Sequence, residues 1–127
     1  MLDHIAIATR DATAMRKLYE LIGFEVHKVE EVPSQKVVAT FLELHGVHVE
    51  LLEPTSDDSA VAKAIAKRGE GLHHLAFKVP SLAEAMQRLR AQGYGFIYDE
   101  PQPGAGGKKI NFIHPRDGGG VLVELCE

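Results

Sequence analysis

Residues 73–96 read HHLAFKVPSLAEAMQRLRAQGYGF, and residues 3–26 read DHIAIATRDATAMRKLYELIGFEV. Laid over each other without a gap, the two stretches share one plan. An apolar alternation starts at a histidine, a polar break follows, then a helical pattern that ends on glycine. His4 falls over His74 and Gly23 over Gly93, an offset of 70 residues. Alternation with a period of two is the mark of a strand, whose successive side chains point to opposite faces. His4 therefore shares a face with Ala6 and Ala8, as His74 does with Ala76, while Ile5 and Ile7, or Leu75 and Phe77, occupy the other. Bulky residues would pack beneath helices, and the small-residue faces would leave room for a cavity with a histidine at its edge.

The helical stretches carry their own start and stop signals. Asp11 is the expected N-cap of the first, with Met15, Leu18, Leu21 and Ile22 as its apolar stripe and Gly23 as its end. Ser81 caps the second, and Glu84 three residues later completes a capping box. Further strands are expected at about 24–30, 36–44 and 47–53, divided by Pro33 and by the His45–Gly46 turn. A short helix is expected from about Ser59 to Arg68. In the second half, strands are expected at about 72–79, 94–98, 108–113 and 121–126.

The match extends to the last strand of each half. HVELLE, residues 48–53, lies over VLVELCE, residues 121–127, and sets Glu50 over Glu124 at an offset of 74. One small insertion separates the two offsets. The expectation is a single α+β domain over residues 1–127, built of two tandem βαβββ units at about 1–69 and 70–127.

Composition narrows the possible partners. With 127 residues, 45 % hydrophobic and 25 % charged, the chain has an ordinary globular profile. A net charge of −4 speaks against nucleic acid or an anionic membrane as partner. Cys126 is the single cysteine, so no internal disulfide forms, as suits a reducing compartment. Charges run through residues 1–22 and no apolar run approaches 18 residues, so a cytoplasmic location is expected.

Chemistry enters with the paired residues. Glu50 and Glu124 sit inside apolar strands, where an ionised carboxylate is costly unless paired or bound to a metal. A histidine alone in a strand is usually a satisfied or solvent-facing residue, and His73 is read that way. Matched His and Glu at equivalent places in both halves are harder to assign to packing. His4, Glu50, His74 and Glu124 make a four-ligand N/O set for a divalent cation such as Zn, Ni, Co, Mn or Fe, with a position open for substrate.

These residues resemble those of the vicinal oxygen chelate superfamily, whose fold would close the two units into one curved, cavity-lined sheet. Within it, VELLEPTSDDSAVAKAIAKRGEGLHHLAF (49–77) and DEPQPGAGGKKINFIHPRDGGGVLVEL (99–125) are similar to the methylmalonyl-CoA epimerases, nearly end to end. The resemblance implies a metal-assisted 1,1-proton transfer at the α-carbon of an acyl-CoA, with Glu124 both ligand and base, and commonly a homodimer. Some members of the family carry a second acidic residue where this chain has Ala39. Glu43 on the same strand face is a possible substitute, as is water, and Lys36 lies near the strand start. Lys108, Lys109, Asn111 and His114 are candidates for substrate contact, the lysines toward coenzyme A phosphates. GAGGKK, residues 104–109, lacks the spacing of a phosphate-binding Walker loop. Two rivals stand beside this reading. A glyoxalase-type lyase or isomerase would use the same four ligands, and a binding module would hold a metal or small molecule without catalysis.

Overall fold

A computed structural model describes residues 1–127 of the chain. It contains eight strands and three α-helices. Backbone contacts cluster into two units, one of residues 4–73 and the other of residues 1–3 with 74–127.

In the first unit, β1 (Leu2–Ala8) leads into α1 (Ala12–Ile22), followed by β2 (Glu25–Val32), β3 (Val37–Leu44), β4 (Val47–Pro54) and α2 (Ala60–Arg68). Strand order is β2-β3-β4-β1, with β1 and β4 parallel and the other pairs antiparallel. Asp11 and Ser59 cap the two helices by accepting from Ala14 N–H and Ala62 N–H. Gly23 closes α1 at φ 122°, a conformation that L side chains rarely adopt.

The inward face of α1 differs from the expected stripe. Ala12, Met15 and Tyr19 pack against Leu42, Val49 and Leu51, while Leu18, Leu21 and Ile22 are exposed. Spacings of three and four from Ala12 fix the buried row, and Tyr19 completes it edge-on to Phe24 at 5.4 Å. Strand β2 departs from simple alternation too. Its pairing with β3 shifts between Val26 and Lys28, a bulge that leaves His27 as the extra residue.

The second unit runs β5 (Gly71–Lys78), α3 (Leu82–Ala91), β6 (Gln102–Pro103), β7 (Lys109–Ile113) and β8 (Val123–Cys126), in the order β5-β8-β7-β6. Again the first and last strands are parallel. Ser81 caps α3 by accepting from Glu84 N–H, and Leu82, Ala85 and Met86 form its buried face with Leu125.

No strand forms at 94–98. Phe96 makes one isolated bridge to Ile113, and Ile97 N–H donates to the Phe112 carbonyl at 2.9 Å. Two side chains take the place of a ladder there. Asp117 Oδ2 accepts from Gly95 N–H at 2.8 Å, and Asn111 Oδ1 accepts from Tyr98 N–H at 3.2 Å. The turn before β8 demands glycine at one point, since a Cβ on Gly118 would stand 2.3 Å from the Val121 carbonyl oxygen. Residues 1–3 are held by Lys78 N–H donating to the Met1 carbonyl at 2.8 Å and by an Asp3–Lys108 ion pair. No helix is long and apolar enough to cross a membrane.

Candidate metal centre

Parallel pairing of first and last strands positions a His and a Glu in each unit. On β1 and β4, Ala6 is the register partner of Glu50; on β5 and β8, Ala76 is the register partner of Glu124. The histidine stands two residues before that alanine in both cases and so shares its face. Both alanines are fully buried.

His4 Nε2 lies 2.5 Å from Glu50 Oε2, and His74 Nε2 lies 3.0 Å from Glu124 Oε2. All four residues are buried, at 4–6 % exposure. A carboxylate so withdrawn from water needs a hydrogen bond or a cation, and the imidazole supplies the first. Each unit thus sets one imidazole nitrogen beside one carboxylate oxygen, two donor types that metal ions bind. Imidazole nitrogen and carboxylate oxygen together suit a borderline or hard divalent cation, so the donor set fits the expected group.

Two aromatic residues that the sequence reading left unassigned take matching places. Phe112 is the cross-strand partner of Glu124, and its ring meets that of His74 edge-to-face at 5.3 Å. Phe41 is the cross-strand partner of Glu50. Counting in twos from each glutamate's neighbour strand was the available signal for both.

Other candidates fall elsewhere. Asn111 is fully buried, and its amide is spent inside the fold: Oδ1 accepts from Tyr98 and Phe112 N–H, and Nδ2 donates to the Tyr98 carbonyl at 2.9 Å. It secures the 94–98 segment to β7. Lys108 Nζ meets Asp3 Oδ2 at 2.5 Å. Lys109 is exposed, 3.9 Å from a Glu127 oxygen. His114 Nδ1 accepts from Arg116 N–H and caps a short 3-10 turn at Pro115–Asp117. His73 is buried at 8 % exposure rather than facing solvent. Its place near the middle of β5 withdraws it, which no local pattern announces.

Ala39 is fully buried between Glu30 of β2 and Leu52 of β4 in the register. Glu43, on the same face, has Oε2 at 3.1 Å from His27 Nε2 and accepts from Gly46 N–H. Lys36 sits in the turn before β3 at φ 53°, and its ammonium beside Asp58 holds that carboxyl down at about 2, with Ser56 adding a second bond. At the end of β1, Glu70 accepts from Arg10 N–H at 2.6 Å and from the Thr9 hydroxyl at 3.1 Å. The Arg10 amide, then the Thr9 hydroxyl, keep the Glu70 carboxyl below the usual range.

Residues 3–112 match the family model of the Glyoxalase/Bleomycin resistance protein/Dioxygenase superfamily. The Bacillus subtilis protein YqjC, described as uncharacterized, is 45 % identical over 99 % of this chain and 91 % of its own. An ethylmalonyl-CoA/methylmalonyl-CoA epimerase of Cereibacter sphaeroides is 35 % identical over 98 % of this chain and 95 % of its own. Among solved structures, a variant of the Streptomyces coelicolor methylmalonyl-CoA epimerase in complex with 2-nitronate-propionyl-CoA superimposes with a TM-score of 0.94. It is 40 % identical, covering 99 % of this chain and 92 % of that one. The fold is thus the α+β arrangement of two βαβββ units that the repeat implied.

Proposed function

The chain belongs to the Glyoxalase/Bleomycin resistance protein/Dioxygenase superfamily, and on that footing we propose that it is a metal-dependent epimerase interconverting the (2R) and (2S) forms of methylmalonyl-CoA. The observation that carries the reading is the buried His–Glu pair repeated at equal register in both units. Epimerase relatives that match along nearly the whole chain support the substrate class.

His4, Glu50, His74 and Glu124 would hold the cation. A divalent cation held there would supply Lewis-acid stabilisation of the charge that develops on the substrate. The chain's own groups do the rest. C2 of the substrate lies between a carboxylate and a thioester, so its proton is already acidic, and Glu124 is the group that removes it from one face. The Phe112 ring braces the His74 imidazole edge-to-face at 5.3 Å. Burial keeps bulk water from the anion that forms and strengthens every fixed dipole around it.

Inversion also requires a proton from the opposite face of the planar intermediate. Ala39 offers none, so Glu43 or a water takes that part. Of the substrate-contact candidates, exposed Lys109 and half-buried His114 fit contacts to the coenzyme A portion, whereas Lys108 and Asn111 serve Asp3 and Tyr98. The reading carries with it a cytoplasmic homodimer, which sedimentation of the purified protein tests.

Incubation of the metal-loaded protein in D2O with one methylmalonyl-CoA epimer tests the chemistry. Deuterium should enter at C2 as the other epimer accumulates. Turnover of a methylglyoxal–glutathione adduct with no exchange at C2 would overturn the reading in favour of a lyase.

A further inference from the structure

We infer that a cleft between the ends of β1 and β4 and helix α2 seats the adenine nucleotide end of the acyl-CoA, with Arg10 on a phosphate and Asp57 on the base; this rests on the acyl-CoA reading above. Arg10, Pro54, Asp57, Ala62, Ile65 and Ala66 line this one cleft, of about 370 Å3. All six belong to the unit of residues 4–73. The volume falls within the range of small-molecule sites, about 300–1,000 Å3.

Strand geometry ties the cleft to the His4–Glu50 pair. Ala6 and Glu50 are register partners on the parallel strands β1 and β4. Arg10 and Pro54 each follow four residues later, and alternation keeps Pro54 on the Glu50 face. At about 3.3 Å per residue the interval is about 13 Å. The flexible pantetheine arm, which separates thioester from nucleotide, spans such an interval.

The lining divides by chemistry. Ala62, Ile65 and Ala66 recur at helical spacing on α2 and with Pro54 make an apolar wall, against which a purine ring lies flat. The exocyclic amine of adenine donates, and the Asp57 carboxylate only accepts. The Arg10 guanidinium donates its paired N–H groups in the geometry that phosphate oxygens accept. The ordinary explanation is a surface dent with two solvated charges. It does not account for how firmly their backbones are held. Glu70 accepts from the Arg10 N–H at 2.6 Å and from the hydroxyl of buried Thr9. Asp58, next to Asp57, is bound by the Lys36 ammonium and the Ser56 hydroxyl. A guanidinium and a carboxylate set on fixed backbones lose less freedom when they bind.

The test uses intact protein and adenosine 3′,5′-bisphosphate as probe, followed by amide NMR. The Ala62, Ile65 and Ala66 signals should shift in wild type, and Ala66→Phe, which fills the cleft from an exposed helix position, should abolish the shift. A kinetic arm compares methylmalonyl-CoA with methylmalonyl-pantetheine, which lacks the nucleotide. The wild-type preference for the CoA ester in kcat/KM should fall about tenfold in Arg10→Gln, the share of one charge-assisted hydrogen bond. An unmoved preference, or probe shifts that avoid the α2 residues, would overturn the proposal. Shifts at α2 in a protein that places no deuterium at C2 would uphold the cleft as a nucleotide site while sinking the epimerase reading, so the two failures are told apart. Should either variant fold poorly, the probe shifts in wild-type protein decide the matter.

Discussion

Glu124→Gln separates proton transfer from packing. Glutamine has the volume of glutamate, and its amide oxygen still accepts from His74 Nε2, now 3.0 Å from Glu124 Oε2. A hydrogen bond to a charged group contributes about 1.5–3 kcal/mol and a neutral one about 0.5–1.5, so the fold loses only about 1 kcal/mol. For a chain of this length that is a fall of roughly 3–5 °C in Tm. Removing a general base costs far more, about 100- to 10,000-fold in rate, or about 3–5 kcal/mol of barrier. The rate effect should therefore exceed the stability effect severalfold. The assay is deuterium entry at C2 of methylmalonyl-CoA, followed by NMR at saturating metal, beside a calorimetric melt. Glu50→Gln serves as the matched control, because Glu50 binds but does not touch the proton in this mechanism; its exchange rate should fall less once metal is saturating. Exchange by Glu124→Gln within about threefold of wild type, in folded and metal-loaded protein, would refute the assignment of the base.

Three further outcomes follow from geometry already described. Ala76→Leu forces a larger side chain into a fully buried position beside Glu124; overpacking of about 1–3 kcal/mol should accompany a lower metal content, read by urea melts and ion counting. Asn111→Ala strips the partner from Tyr98 N–H and its carbonyl; a loss of about 1–3 kcal/mol per orphaned group and faster amide exchange at 94–98 are expected. For Glu70, the folded carboxyl titrates below its unfolded value, so its contribution is present above the unfolded pKa of about 4.3 and disappears as pH falls through the folded one. Glu70→Gln should accordingly be less stable than wild type near neutrality, with the gap closing in acid; a gap that widens in acid would contradict the bond to Arg10.

Much of this molecule is readable in its letters because it is written twice. The ungapped offset between His4 and His74 aligns both first strands, both capped helices and both closing glycines, so each half checks the other. Glu50 and Glu124 were readable for the same reason, since charge inside an apolar alternation stands out. Where the halves differ, local pattern fails. Leu18, Leu21 and Ile22 look like a core stripe, yet Ala12, Met15 and Tyr19 are the residues that meet Leu42, Val49 and Leu51, and hydrophobicity alone cannot choose between overlapping arcs of one helix. The bulge at His27 changes which residues share a face beyond it, and no composition signal marks the extra residue. Residues 94–98 have strand-like letters, but Asp117 and Asn111 satisfy their amides, so ladder partners are not required. Buried Asn111 looked like a ligand contact because polarity in a strand invites that reading; its bonds turn out to be scaffold.

Equal register of Ala6 with Glu50 and of Ala76 with Glu124 also bears on how such a protein can change over time. In an assembly of identical chains, every mutation of a symmetric acid strikes both copies at once. Covalent tandem copies escape that rule. One glutamate is free to specialise in moving hydrogen while its twin remains a plain anchor, and each can be lost, swapped or retuned without dragging the other along.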